Sequence, residues 1–227
     1  MAEHMKKAGQ AKRMVILLLG LFLLLNITHL LPEQIITVTK EAEEKRIALT
    51  FDDGPHPIYT AKLLEGLKER GVVATFFVTG ANAKLYPELV LQMKIDGHTI
   101  GNHTYHHVQL SQVGKEIFLM ELKETNQVLE GILEEEIEYV RPPFGEWSKS
   151  IEKEIDMFPV LWDIDPLDWC TGNAQKVAKR VLDKSEDNRI VLLHDGYETT
   201  IAATFQIIDT LIEEGYQFVT VDEILLQ

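Results

Sequence analysis

From Lys45 to the C-terminus, short runs of β-branched and aromatic residues alternate with longer segments of helical periodicity. This alternation restricts the fold of the 227-residue chain more than any other property. Helical patterns run through Ala61–Arg70, Tyr86–Ile95, Lys115–Glu135, Ser148–Asp156, Ala174–Lys184 and Ile201–Glu214. Between them lie strand-like runs at Lys45–Phe51, Val72–Val78, His98–Gly101, Tyr139–Arg141, Val160–Asp163, Ile190–Leu193 and Gln217–Val219. Gly71 and Gly215 stand where helix C-caps are expected. Repeated βα units with apolar strands predict a parallel sheet covered by helices. About seven units predict a (β/α) barrel, with an open doubly wound sheet as the alternative.

The reactive residues favour the barrel. Asp52-Asp53, His103, Arg141, Asp165 to Asp168 and His194-Asp195 each fall at, or just past, the C-terminal end of a different strand. A barrel gathers such positions on one rim, where barrel active sites are built; an open sheet spreads them along a line. No glycine-rich phosphate loop or dinucleotide fingerprint follows any strand, which argues against nucleotide chemistry. A formal charge of −14 argues equally against a nucleic-acid partner.

The N-terminus is different in kind. Lys6, Lys7, Lys12 and Arg13 precede an uncharged run, Met14–Leu25, that Ile27, Leu30 and Leu31 extend. A buried core helix keeps a polar face, and this run has none. The expected organisation is a cytoplasmic basic segment at 1–13, a signal-anchor or transmembrane helix at 14–31, a polar linker at 32–44 and one domain at 45–227. The domain then sits outside the cytoplasmic membrane, tethered by a single pass, or secreted if the segment is cleaved. Cys170 is the only cysteine, so no intrachain disulfide holds the domain; the thiol is expected to be packed.

Two adjacent carboxylates, Asp52 and Asp53, repel each other unless a cation or an arginine compensates. The stretch Gly101-Asn102-His103-Thr104-Tyr105-His106-His107 offers imidazoles to complete a metal site. His103 and His107 are four apart, and one helical turn or a tight loop aims both at one point; His106 is a rival. Joined to the aspartates, they describe a site of two histidines and one carboxylate with room for water. Arg141-Pro142-Pro143-Phe144-Gly145 is a stiff turn able to hold a guanidinium against a carboxylate. Three carboxylates lie between two indoles in Trp162–Trp169, and a buried strand delivers His194 at its tip, where a carboxylate partner makes it a usable acid.

Taken together, Thr50–Pro55, His103–His107, Arg141–Gly145, Asp165–Trp169 and Leu193–Asp195 resemble the five ordered motifs of the polysaccharide deacetylase (NodB-homology) family of carbohydrate esterases. The resemblance runs from about Lys45 to the C-terminus. It implies a distorted (β/α) barrel and metal-dependent removal of acetyl groups from glycans. It further implies Asp52 as general base, Asp53, His103 and His107 as metal ligands, Arg141 orienting Asp52, and His194 as general acid paired with Asp168. Thr104 is implied to line the site, Trp169 and Leu193 to wall the acetyl methyl, and Phe144, where a tyrosine is usual, to act through its backbone N–H. Pro166 replaces a commonly small polar residue. The implied cofactor is one divalent ion, Zn²⁺ by its ligands, with Co²⁺, Mn²⁺ or Ni²⁺ as substitutes. The expected partner is an acetylated cell-wall glycan, peptidoglycan favoured, with N-acetylmuramic acid residues, chitin oligosaccharides and O-acetylated xylan as alternatives. A non-catalytic glycan-binding barrel and an Fe(II) oxygenase are the competing classes; Asp52 and His194 disfavour the first, βα alternation the second.

Overall fold

Residues 45–226 are described in the computed structural model. The expected segments 1–13, 14–31 and 32–44 lie outside them, and among the described residues no helix is long and apolar enough to cross a membrane. The described residues form one compact unit.

Seven strands run in parallel: β1 (Lys45–Asp52), β2 (Thr75–Val78), β3 (Thr99–Asn102), β4 (Tyr139–Val140), β5 (Phe158–Pro159), β6 (Arg189–His194) and β7 (Tyr216–Phe218). Their order is β5-β4-β3-β2-β1-β6, with β7 added to β1. β1 is the axis. One edge pairs with β6 from Ile47 to Asp52, while the other takes β7 at Lys45–Ile47 and β2 at Thr50–Asp52. Beyond β5 the chain crosses from one end of the sheet to the other. The Val160 N–H donates to Val140 O on β4 at 2.8 Å, and four residues later Ile164 O accepts from Leu192 N on β6 at 2.9 Å. The two ends are thereby joined, in keeping with a distorted barrel rather than an open sheet.

Strand alternation sorts side chains into two layers. Ile47, Leu49 and Phe51 face the helices and join the main core, while Ala48 faces inward with Phe77, Tyr139, Val160, Ile190 and Val221. The helices are α1 (Tyr59–Glu69), α2 (Gly80–Leu85), α3 (Pro87–Ile95), α4 (Leu110–Val113), α5 (Lys115–Leu133), α6 (Lys149–Glu152), α7 (Ala174–Leu182), α8 (Glu198–Glu213) and α9 (Val221–Leu225). α5 buries Phe118, Leu122 and Leu129 on one face, as its spacing predicts; truncating Leu122 to alanine is expected to cost about 3 kcal/mol. α1 and α8 end at Gly71 and Gly215, both at positive φ, as the sequence anticipates. α7 starts at Asn173, whose side chain accepts from the Lys176 N–H.

Some elements differ from expectation. The helix expected at 148–156 shortens to Lys149–Glu152. No strand forms at the expected 160–163: β5 is Phe158–Pro159, and after it the chain leaves β4 and makes only an isolated bridge, Ile164 with Val191 on β6. α9 was not anticipated; the Val221 N–H donates to Thr75 Oγ1 at 3.1 Å, which seats it beneath the inner cluster.

Candidate active site

The inward positions of the strands continue upward into the site. Thr50 and Asp52 follow Ala48 on β1, Arg141 follows Tyr139, and Leu192 and His194 follow Ile190. Together with Asp53, His103 and His107, Asp52 and His194 line a cavity of about 430 Å³. Its apolar walls are Phe144, Trp162, Trp169 and Leu192, and Tyr197 and Asp165 stand at its rim. A second cavity of about 390 Å³ shares Asp53, His194 and Tyr197, so the cleft continues past the reactive groups toward Asn82 and Tyr86.

Asp53, His103 and His107 bring one ligand atom each to within 4.8 Å of one another. Asp53 Oδ1 lies 3.4 Å from Nε2 of both histidines and is buried without a hydrogen bond. His103 Nδ1 is 2.6 Å from the Arg141 carbonyl, which can only accept, so Nδ1 carries the proton and Nε2 presents a lone pair. Lone pairs converging on an orphaned carboxylate oxygen describe a cation site, and the donor set fits a borderline divalent ion. The charge states agree. Burial works to raise the Asp53 pKa, but His103, then His107 and His194, outweigh it and lower it to about 2. Burial, with His103 close by, lowers that of His107, favouring the neutral ligand form. His106 is not a ligand: its backbone N–H and its Nδ1 both go to the Glu121 carboxylate.

Across the cavity, Asp52 and His194 are each held by one partner. Arg141 Nη1 donates to Asp52 Oδ1 at 2.8 Å and to Thr50 Oγ1 at 2.6 Å. Its Nε and Nη2 go to the Val160 and Leu161 carbonyls, and its guanidinium lies 4.2 Å over the Phe77 ring. This fully buried arginine therefore has a fixed position. Asp168 accepts from both Nδ1 and the backbone N–H of His194, and from Thr200 Oγ1. Burial pulls the His194 pKa down, but Asp168, with Asp52 and Asp53 behind it, raises it to about 9. Asp195, next in the chain, is fully buried; burial, with Asp53 and Asp52 nearby, pushes it up to about 7 against the Thr60 hydrogen bond.

Backbone strain concentrates here. Asp53, Thr104, His107, Phe144 and Leu167 all adopt positive φ without being glycine, a conformation that surrounding structure must enforce. The loop carrying His107 is braced against the turn carrying Phe144 by Glu146, whose carboxylate accepts from Ser111 and Gln109.

Two expected wall residues lie elsewhere. Leu193 packs wholly in the outer core; Leu192, one residue earlier, faces the cavity, because strand side chains alternate. Thr104 is fully buried beneath the cavity, taking the Val108 N–H on its hydroxyl and so shaping the loop between the histidines. Trp169 and Phe144 do line the cavity. Cys170 is exposed, not packed. Trp162, which the sequence marks only as an indole beside the carboxylates, also lines the cavity, and Leu192 and Tyr197 escaped the sequence reading; the alternation from Ile190 would have pointed to Leu192. Of the remaining acids, Asp165 Oδ1 accepts the Leu167 N–H in its own turn and Asp163 Oδ2 accepts that of Ile190.

Three side chains able to hold a cation, facing a carboxylate braced by arginine and an imidazole gripped by a carboxylate on one rim of a parallel α/β fold, are the arrangement of a hydrolase-type centre. The chain belongs to the polysaccharide deacetylase family, whose model matches residues 39–159. It is 37% identical over 186 residues to the peptidoglycan-N-acetylmuramic acid deacetylase PdaC of Bacillus subtilis, an alignment that takes in 82% of this chain but 40% of that protein. The PdaC structure superposes with a TM-score of 0.79 at 37% identity, over 81% of this chain and 91% of that one. A peptidoglycan-N-acetylglucosamine deacetylase of Bacillus cereus is 37% identical over 190 residues, covering 80% of this chain and 89% of that protein. A family 4 acetyl xylan esterase from Clostridium thermocellum, solved with a cobalt ion, superposes with a TM-score of 0.75 at 32% identity, over 80% and 91% of the two chains.

Proposed function

We propose that this chain is a metal-dependent hydrolase that removes acetyl groups from N-acetylglucosamine units of a cell-wall glycan, with peptidoglycan as the polymer. The observation that carries the reading is the Asp53 carboxylate oxygen, buried without a hydrogen bond and facing Nε2 of His103 and His107 at 3.4 Å. The names of the Bacillus relatives support peptidoglycan, and a cleft continuing through a second cavity suits a polymer.

Bound by Asp53, His103 and His107, a divalent ion, Zn²⁺ by its donors with Co²⁺, Mn²⁺ or Ni²⁺ as substitutes, supplies polarisation of the acetyl carbonyl and acidification of water. Asp52, held at Oδ1 by Arg141, takes the proton of the attacking water. The Phe144 backbone N–H is the proposed donor to the developing oxyanion. An amine cannot leave as an anion near neutral pH. His194, bound to Asp168 through Nδ1, therefore delivers the proton on Nε2 to the leaving nitrogen. Trp169 and Leu192 receive the acetyl methyl.

The N-terminal run at 14–31 is proposed to anchor the domain at 45–227 outside the cytoplasmic membrane, with 1–13 inside and 32–44 as the spacer, so that it works close to the wall. Protease accessibility on intact cells tests this placement.

Acetate release from peptidoglycan, chitin oligosaccharides and acetylated xylan, with and without added Zn²⁺, tests the activity and ranks the substrates. Asp52→Asn and His194→Ala are expected to fold and to lower turnover by about 10² to 10⁴. Undiminished release from either variant refutes the assignment.

A further inference from the structure

The geometry points to Asp195 as a positioning residue that holds the Asp53 turn against the tip of β6, so that the cation site and His194 keep one relative position. This rests on the cation site proposed above. Asp195 directly follows His194 and is fully buried. Its Oδ2 accepts from Thr60 Oγ1 at 2.5 Å, and the same hydroxyl accepts the His56 N–H at 2.7 Å. The turn that leaves Asp53 is thus tied to β6 through the first turn of α1.

Contact with the backbone is tighter still. A Cβ at Gly54 would stand 2.3 Å from Asp195 Oδ2 and 2.6 Å from Oδ1, so the carboxyl rests on the residue next to the ligand. Only glycine leaves that space. The opposite side of the turn is pinned by Asn82 Nδ2 on Asp53 O at 2.8 Å and by the Thr79 N–H on Gly54 O at 3.1 Å. Asp53 is therefore clamped between the start of α2 and the tip of β6 while held at φ 73°, a conformation that relaxes once one jaw is removed. Oδ1 of Asp195 has no hydrogen-bond partner. A buried carboxyl left half-satisfied is costly where an apolar residue is not, so its place at this contact is explained by position rather than by stability.

Zn²⁺ affinity of the full chain, measured by chelator competition, reads the clamp without reference to turnover. Asp195→Ala is expected to weaken Zn²⁺ binding by about 10- to 100-fold. Asp195→Asn, which keeps an acceptor for Thr60, should stay near wild type. Thr60→Val should weaken binding and Thr60→Ser restore it. The Thr60→Val/Asp195→Ala double variant should be no worse than the poorer single one, since both cut one link. Affinity within about twofold of wild type for Asp195→Ala, even with a lowered melting temperature, overturns the inference. If Asp195→Ala does not fold, the Thr60→Val and Thr60→Ser pair decides in the same way. A wild-type chain that binds no Zn²⁺ overturns the cation site itself, a result distinct from equal binding by wild type and variant.

Discussion

Asp168 grips His194 at two atoms, Oδ1 on the ring Nδ1 at 2.9 Å and Oδ2 on the backbone N–H at 2.8 Å, which fixes both the tautomer and the placement of the imidazole. A general acid must carry its proton, and the Asp168 carboxylate holds the His194 pKa above that of an ordinary imidazole. Acetate release is therefore expected to persist through neutral pH and to fall on the alkaline side as His194 loses its proton. Asp168→Asn removes the nearest raising charge and leaves burial opposed only by Asp52 and Asp53, so the alkaline limb should move toward neutrality and turnover should drop about 10²-fold. A pH profile of kcat/KM for both proteins checks this, and an unmoved limb in the variant counts against the pair.

Arg141 is bound at every nitrogen and stacked on Phe77. Arg141→Met leaves Asp52 buried beside an apolar chain, which is expected to cost about 3–5 kcal/mol. Arg141→Lys keeps the charge and loses the fork that spans Thr50, Asp52 and the two carbonyls. Thermal unfolding should rank wild type above Arg141→Lys and that above Arg141→Met, and both variants should turn over slowly.

His107→Ala deletes one of three ligand atoms at a half-buried position, so the fold is expected to survive and the ion to be lost. Elemental analysis should find one equivalent of metal per wild-type chain and well under that in the variant. Zn²⁺ at 100 times its Kd should stabilise the wild type by about 2.7 kcal/mol and leave the variant's melting temperature unchanged.

His98 sits at the opposite end of the barrel from the site, accepting the Ala74 N–H on Nδ1 and packed edge-on against Phe76. Burial lowers its pKa to about 4 in the folded chain from an ordinary 6.5, with Asp96 opposing. Between those values the unfolded chain binds the proton and the folded one does not. Stability is therefore whole above about pH 6.5 and falls as pH drops to about 4, by roughly 3 kcal/mol from this residue. Denaturant midpoints from pH 7 to 4 should fall less steeply in His98→Gln than in wild type.

Six of the strands were legible because each is a short apolar run closed by a turn residue, while β5 at Phe158–Pro159 was not, and Asp52, Asp53 and His194 were legible as polar residues at strand tips. Harder to see was which neighbour faces the cavity. Leu192 and Leu193 are the same residue type, and only the inward phase set by Ala48 and Ile190 distinguishes them. Thr104 was hard to place for a related reason: at positive φ it is fully buried and its hydroxyl accepts the Val108 N–H within its own loop. Trp162 was marked as one of two indoles flanking three carboxylates but given no role, and Tyr197 belongs to a segment with no periodic signal, so nothing local marked it.

By itself, then, the amino-acid order specified the βα repeat, the apolar and polar faces and the residue types needed for a cation and two proton carriers, since these follow from spacing and side-chain chemistry along neighbouring positions. Tertiary structure alone decided how near Asp53 comes to His103 and His107, that Tyr197 reaches the cavity, and that Asp195 presses on Gly54. Each of those depends on distances between strands far apart in the chain, which closure of the sheet fixes and no local pattern encodes.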